Sequence, residues 1–142
     1  MVRDSQQTRP IQWKVHQLVT RAAIAIIDDD ENVRISLDSL LRACGYRVQL
    51  FESAEHFLNS DAIAAVDCLV SDIQMPGMSG VQMYQQLLND GHCMPAIFIT
   101  ASADQTSRRT AQRLGACCYL SKPYESEELV ACLNLALNTA ER

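Results

Sequence analysis

The sequence has little of what would loosen, anchor or staple a chain. Glycine (5) and proline (4) are scarce among 142 residues, which suits one domain with a full core. No apolar run approaches the roughly 18 residues of a bilayer-spanning helix. No charged-then-apolar leader with a small-residue cleavage site opens the chain. Neither a membrane span nor a signal peptide is therefore expected, and the expected compartment is the cytoplasm. The six cysteines (Cys44, Cys68, Cys93, Cys117, Cys118 and Cys132) show no CxxC spacing. Most lie inside apolar strand or helix patterns, so they read as small buried hydrophobes rather than disulfide or zinc partners. A GxGxxG fingerprint is also missing after the first apolar run, which excludes dinucleotide binding of that type.

What is present is a core and an uneven charge. With 48% hydrophobic residues the chain can fill one domain, and a second does not fit. Residues 1–22 carry Arg3, Arg9, Lys14 and Arg21 against Asp4, a net of +3. The rest holds 8 basic against 16 acidic side chains, a net of −8. An acidic body repels phosphates, so direct nucleic-acid binding by this domain is disfavoured, and metal cations or basic protein surfaces are favoured.

Residues 1–10 are polar and aperiodic and read as a disordered lead-in. In 11–22, Ile11, Val15, Leu18, Val19 and Ala22 match a helix, while Ile11, Trp13 and Val15 alternate as in a strand. Residues 1–21 are expected to be an extension, partly disordered or a short helix, ahead of a domain over 22–142. From Ala22 the pattern is regular. Ala22–Ile27 is an apolar strand running into Asp28, Asp29, Asp30 and Glu31. A helix follows with Val33, Leu37, Leu40, Leu41 and Cys44 on one face and Gly45 as its stop. Next come a strand over Arg47–Phe51, a short helix near Ala54–Leu58, and a strand ending at Asp72. Met75, Pro76 and Gly77 then turn the chain into a helix over about Gly80–Leu88. Ala96–Thr100 is another apolar strand, Ser107–Leu114 a polar helix and Cys117–Leu120 a strand stopped at Lys122-Pro123. Ser126 is expected to cap a last helix that faces Leu129, Val130, Leu133 and Leu137 inward.

Five strand–helix repeats with buried apolar strands predict an α/β fold, a doubly wound five-stranded parallel sheet. Its carboxyl rim would gather Asp28 and Asp29, Asp72, Thr100 and Lys122, and at such rims ligands bind. Carboxylates about 4 Å apart repel by roughly 4 kcal/mol at an effective dielectric near 20, so three of them call for a cation. Oxygen donors with room for water suit Mg²⁺, commonly shared with a phosphate. An aspartate can accept a phosphoryl group, and a lysine and a threonine hydroxyl opposite the metal would stabilise its oxygens.

The segments IIDDDENVR, LVSDIQMPGMSG, FITA and YLSKPY resemble, in order and spacing, the receiver domain of two-component response regulators over about residues 23–140. The SKP ending and the SAEHFL segment are most similar to receivers of nitrogen-fixation and nitrate-response regulators. The resemblance implies the flavodoxin-like (βα)5 receiver fold, with Asp72 as phosphoacceptor and Asp28 and Asp29 as metal-binding acids. It further implies that Gln74 offers a backbone carbonyl to the metal, that Thr100 is the switch hydroxyl, Lys122 the phosphate-contacting lysine and Tyr119 the rotating switch aromatic. The partners it implies are a sensor histidine kinase or phosphotransfer protein. Receivers of this kind often pair across a two-fold axis, and Arg108, Arg109 and Arg113 could face Glu125, Glu127 and Glu128 in such a phosphorylation-dependent homodimer.

Most such receivers precede a DNA-binding domain, so the chain is expected to be a stand-alone receiver or one domain of a longer protein. Two other readings remain open. A Mg²⁺-dependent phosphatase or phosphotransferase with an aspartyl-phosphate intermediate usually has a second Asp where Gln74 stands, and Gln74 cannot protonate a leaving group. A receiver-like module that no longer takes phosphate would have no need of all five rim residues. The Lys122-Pro123 peptide is expected to be cis, since Lys122 must point back toward Asp72 as the chain leaves for the last helix.

Overall fold

The computed structural model describes residues 22–101 and 104–140. The expected extension over residues 1–21, with its helix-or-strand ambiguity, lies outside the described residues. Five strands alternate with helices: β1 (Ala23–Ile27), α1 (Glu31–Ala43), β2 (Arg47–Phe51), α2 (Ala54–Leu58), β3 (Cys68–Asp72), α3 (Gly80–Asn89), β4 (Ala96–Thr100), α4 (Gln105–Arg113), β5 (Cys118–Ser121) and α5 (Ser126–Ala140). A 3-10 turn, Ile63–Ala65, leads into β3 and had no sequence signal.

All strand pairings are parallel, in the order β2-β1-β3-β4-β5. The chain therefore reverses its direction of winding between β1 and β3, and the rim opens there. The central strands are apolar on both faces because both faces are covered. On one side Phe57, Met83, Tyr84, Leu87 and Ala111 from α2, α3 and α4 pack against Ala25, Ile27, Leu69 and Phe98. On the other, Leu37, Leu41, Leu129, Leu133 and Leu137 from α1 and α5 pack against Ile24, Ile26, Val70 and Ile97.

Helix ends follow local chemistry. Asp30 caps α1 by accepting from the amides of Asn32 and Val33, and Gly45 leaves its C-terminus with φ 94°. Ser79 and Gln82 form a capping box on α3. The polar helix begins earlier than expected, because Asp104 accepts from Thr106 and starts it at Gln105. Ser126 is not a cap: it lies inside α5, and the Glu128 carboxylate accepts the Glu125 amide instead.

Cys118 and Cys132 are joined as a disulfide between β5 and α5, which corrects the expectation that all six cysteines are unpaired hydrophobes. Strand alternation turns Cys118 toward α5, where Cys132 sits on the stripe of Leu129, Leu133 and Ala136. Sequence spacing holds no record of that meeting. Cys44, Cys68, Cys93 and Cys117 are free.

Candidate functional site

The site grows from the ends of β1 and β3. Asp28 follows the last residue of β1 and is 3% exposed, and its amide donates to the Phe51 carbonyl (3.1 Å). Its carboxylate is held by the Asp30 amide (2.9 Å) and its carbonyl by the Arg34 guanidinium (2.7 Å). Asp29 is exposed beside it. Asp72 ends β3, and one of its oxygens accepts from the amides of Ile73 (2.7 Å) and Gln74 (3.3 Å). One carboxylate oxygen from each of Asp28, Asp29 and Asp72 lies within 4.8 Å of the other two.

The turn after Asp72 is shaped by glycine. A Cβ at Gly80 would collide with the Asp72 carbonyl and sit 2.9 Å from the Ser71 hydroxyl, so only glycine lets α3 start this close to β3. Gly77 has φ +80° and lies against Glu55, whose carboxylate accepts the Met78 amide (3.0 Å). Glu55 and Arg34 were missed by sequence reasoning. The Ser79–Gln82 box was missed as well, although an S-x-x-Q ahead of an apolar run is its signal.

Lys122 extends from the β5 rim and places its ammonium 3.9 Å from Asp28 Oδ2. Its amide bonds the Thr100 carbonyl (2.8 Å), and the Lys122-Pro123 peptide is cis. Thr100 is buried at the end of β4, where it pairs with Ser121. Tyr119 lies below the rim, opposite Phe98 and two positions before Ser121 in the register. Its ring packs against the core on the α3–α4 side, the Arg108 guanidinium lies 5.4 Å from the ring centroid, and its buried hydroxyl has no hydrogen-bond partner among the described residues. Thus Asp28, Asp29, Asp72 and Lys122 converge, Thr100 borders them, and Tyr119 stands behind Thr100 on a neighbouring strand.

Electrostatics favour a cation at these carboxylates. Burial pushes the Asp28 carboxyl above the usual carboxylate range, opposed by the Asp30 amide and Lys122 and reinforced by Asp72 and Asp29. Burial likewise raises Asp72, against the pull of Lys122 and the two turn amides. Three close carboxylates with one ammonium form an all-oxygen, net negative donor set, which fits Mg²⁺ in hardness and charge. Gln74 is exposed on the turn, two residues beyond Asp72.

A family model described as the response regulator receiver domain matches residues 24–134. The chain is 37% identical over 132 residues to the response regulator protein TodT of Pseudomonas putida, covering 92% of this chain and 58% of TodT. It is 34% identical over 124 residues to the transcriptional regulatory protein FixJ of Bradyrhizobium diazoefficiens, covering 87% of this chain and 60% of FixJ. The chain thus spans about three fifths of the length of these curated relatives. The crystal structure of FixJ-N superimposes with a TM-score of 0.75 at 33% identity, over 82% of this chain and 94% of that one.

Proposed function

The chain belongs to the response regulator receiver domain family, and from that premise we propose that it accepts a phosphoryl group on Asp72 and relays the event to a partner or output domain. Residues 22–142 form the receiver unit in this reading, and residues 1–21 an extension. The observation that carries it is the convergence of the Asp28, Asp29 and Asp72 carboxylates within 4.8 Å with the Lys122 ammonium beside them. The donor is a phosphohistidine on a sensor kinase or phosphotransfer protein, and the compartment is the cytoplasm.

Asp28, Asp29 and Asp72 would hold Mg²⁺ with the Gln74 carbonyl, and the ion supplies neutralisation of the oxygens in transfer. A carboxylate oxygen of Asp72 attacks phosphorus, the bond from phosphorus to the imidazole nitrogen breaks, and the electron pair stays on the imidazole. Lys122 moves from its contact with Asp28 to a phosphoryl oxygen. Asp72 remains fixed meanwhile, because one oxygen is tied to the Ile73 and Gln74 amides and the other is left to react. A cavity of about 280 Å³ between α1 and Lys122, lined by Asn32, Val33, Ser36, Leu37 and Tyr124, gives a donor room beside the rim.

Output follows from Thr100 and Tyr119. Drawing the Thr100 hydroxyl toward the phosphoryl group opens space on the face where the Tyr119 ring packs, and the unpartnered Tyr119 hydroxyl favours a second position. Arg109 and Arg113 on α4 and Glu125, Glu127 and Glu128 by α5 are exposed on that side, so phosphorylation strengthens self-association or partner binding there. A phosphatase is the weaker reading because Gln74 occupies the place of its second acid.

The test is incubation with acetyl phosphate and Mg²⁺ followed by intact mass. Wild type should gain one phosphoryl group, and neither Asp72→Asn nor an EDTA-treated sample should. Sedimentation with beryllofluoride should then show association that Thr100→Ala and Arg109→Glu both weaken. An association indifferent to both substitutions would refute the route through Tyr119.

A further inference from the structure

The Cys118–Cys132 pair crosses from the edge strand to the last helix and belongs to no part of the phosphoryl chemistry. Three observations and one general rule give it a role. The Cα atoms are 6.1 Å apart, within the span a disulfide bridges. Both residues are partly exposed, unlike the fully buried Cys68, so a small disulfide can reach them. The 13 residues between them include Tyr119, Lys122 and the first half of α5. A cross-link here therefore closes a ring of chain that carries both the proposed switch aromatic and the lysine beside Asp28. In the cytoplasmic compartment proposed above, disulfides are usually transient and regulatory rather than structural.

We propose that Cys118 and Cys132 form a reversible thiol–disulfide site whose closure ties β5 to α5 and slows phosphoryl uptake at Asp72. It rests on the phosphoacceptor reading above. The oxidant is a low-molecular-weight disulfide of the glutathione class. One cysteine thiolate attacks it, releasing one glutathione thiol and leaving a mixed disulfide; the second thiolate displaces the other glutathione thiol. Two electrons and two protons pass from the cysteines to glutathione, and a dithiol reverses the exchange. Cys117, next to Cys118 in sequence, has its sulfur 4.0 Å from the Cys132 carbonyl and its thiol pushed up by burial, so a cross-link through it is the competing outcome to exclude. Closure acts on the switch because Tyr119 directly follows Cys118 in β5. A strand tethered to α5 resists the shift that lets the Tyr119 ring turn and Lys122 reach the phosphoryl oxygens.

The full chain is equilibrated in glutathione buffers of rising oxidised fraction, its free thiols are alkylated, and the intact mass is read. Two alkylations should disappear together, non-reducing digestion should yield a Cys118–Cys132 cross-linked peptide, and dithiothreitol should restore both. Under acetyl phosphate and Mg²⁺ the oxidised protein should gain phosphoryl about fivefold more slowly or worse, the low end of ordinary coupling between sites. Cys132→Ser and Cys118→Ser should show no such difference, and dithiothreitol-treated wild type serves as control should either variant fold poorly. Alkylation of all six thiols at every ratio, a cross-link through Cys117, or equal rates in the two redox states would each overturn the proposal. If neither redox state takes a phosphoryl group, the phosphoacceptor reading falls and the gate with it, and the alkylation count still decides whether the pair forms.

Discussion

Replacing Asp28 by Asn should make the metal-free protein more stable, although Asp28 is among its least exposed polar residues. Each carboxylate oxygen within 4.8 Å of another is repelled by about 3.5 kcal/mol or more at an effective dielectric near 20. Asp28 has two such neighbours, so about 7 kcal/mol of repulsion opposes about 4 kcal/mol of attraction to Lys122 at 3.9 Å. The exposure of Asp29 lets solvent screen part of the remaining 3 kcal/mol or so, which leaves a gain of about 1 to 2 kcal/mol for Asp28→Asn. The Asp30 amide keeps its acceptor, because asparagine retains an oxygen at that position. Thermal unfolding in EDTA should show the variant melting roughly 2 to 8 °C higher. Added Mg²⁺ should then raise the melting temperature of wild type and leave Asp28→Asn nearly unchanged. A variant less stable than wild type in EDTA, or one that keeps the full Mg²⁺ response, would refute the repulsive cluster.

Three further outcomes follow from the same geometry. The carboxyls of Asp28 and Asp72 are raised in the folded state, so the fold binds their protons more tightly than the unfolded chain does, and the destabilisation they cause is present above their folded values and relieved as pH falls. The stability difference between Asp28→Asn and wild type should therefore shrink as pH drops from neutrality toward 4, and a difference that widens would contradict the sign. Gly80→Ala should destabilise by about 1 to 3 kcal/mol in urea unfolding, because its methyl group meets the Asp72 carbonyl; a variant as stable as wild type would show that α3 can retreat freely. Tyr119→Phe should leave stability unchanged or raise it by about 1 kcal/mol, since the lost hydroxyl has no partner among the described residues, and a clear loss in calorimetry would mean it is bonded.

Much of the fold was legible because its signals are local. Apolar runs of strand length, Gly45 after the first helix and the Asp72 turn carry their conformations in their own composition. The rim set Asp28, Asp29, Asp72, Thr100 and Lys122 was legible too, since parallel alternation puts every strand's C-terminal end at one edge. What escaped depends on register and side-chain reach. The depth of Tyr119 is one example: only the pairing of Thr100 with Ser121 places it two positions below the rim, opposite Phe98. The Cys118–Cys132 bond requires knowing which way β5 faces and which stripe α5 buries. Arg34 reaching the Asp28 carbonyl and Glu55 reaching the Met78 amide are contacts of long side chains to distant backbone, which no periodicity encodes.

The central claim is that Asp72, rather than another carboxylate of the cluster, carries the phosphoryl group. Borohydride reduces an acyl phosphate to the alcohol, so an aspartyl phosphate trapped after acetyl phosphate and Mg²⁺ treatment becomes homoserine at its own position. Peptide mapping of the trapped protein should find homoserine at position 72 in wild type and nowhere in Asp72→Asn. Homoserine at 28 or 29, or its absence from a sample whose mass shows the phosphoryl gain, would contradict the account.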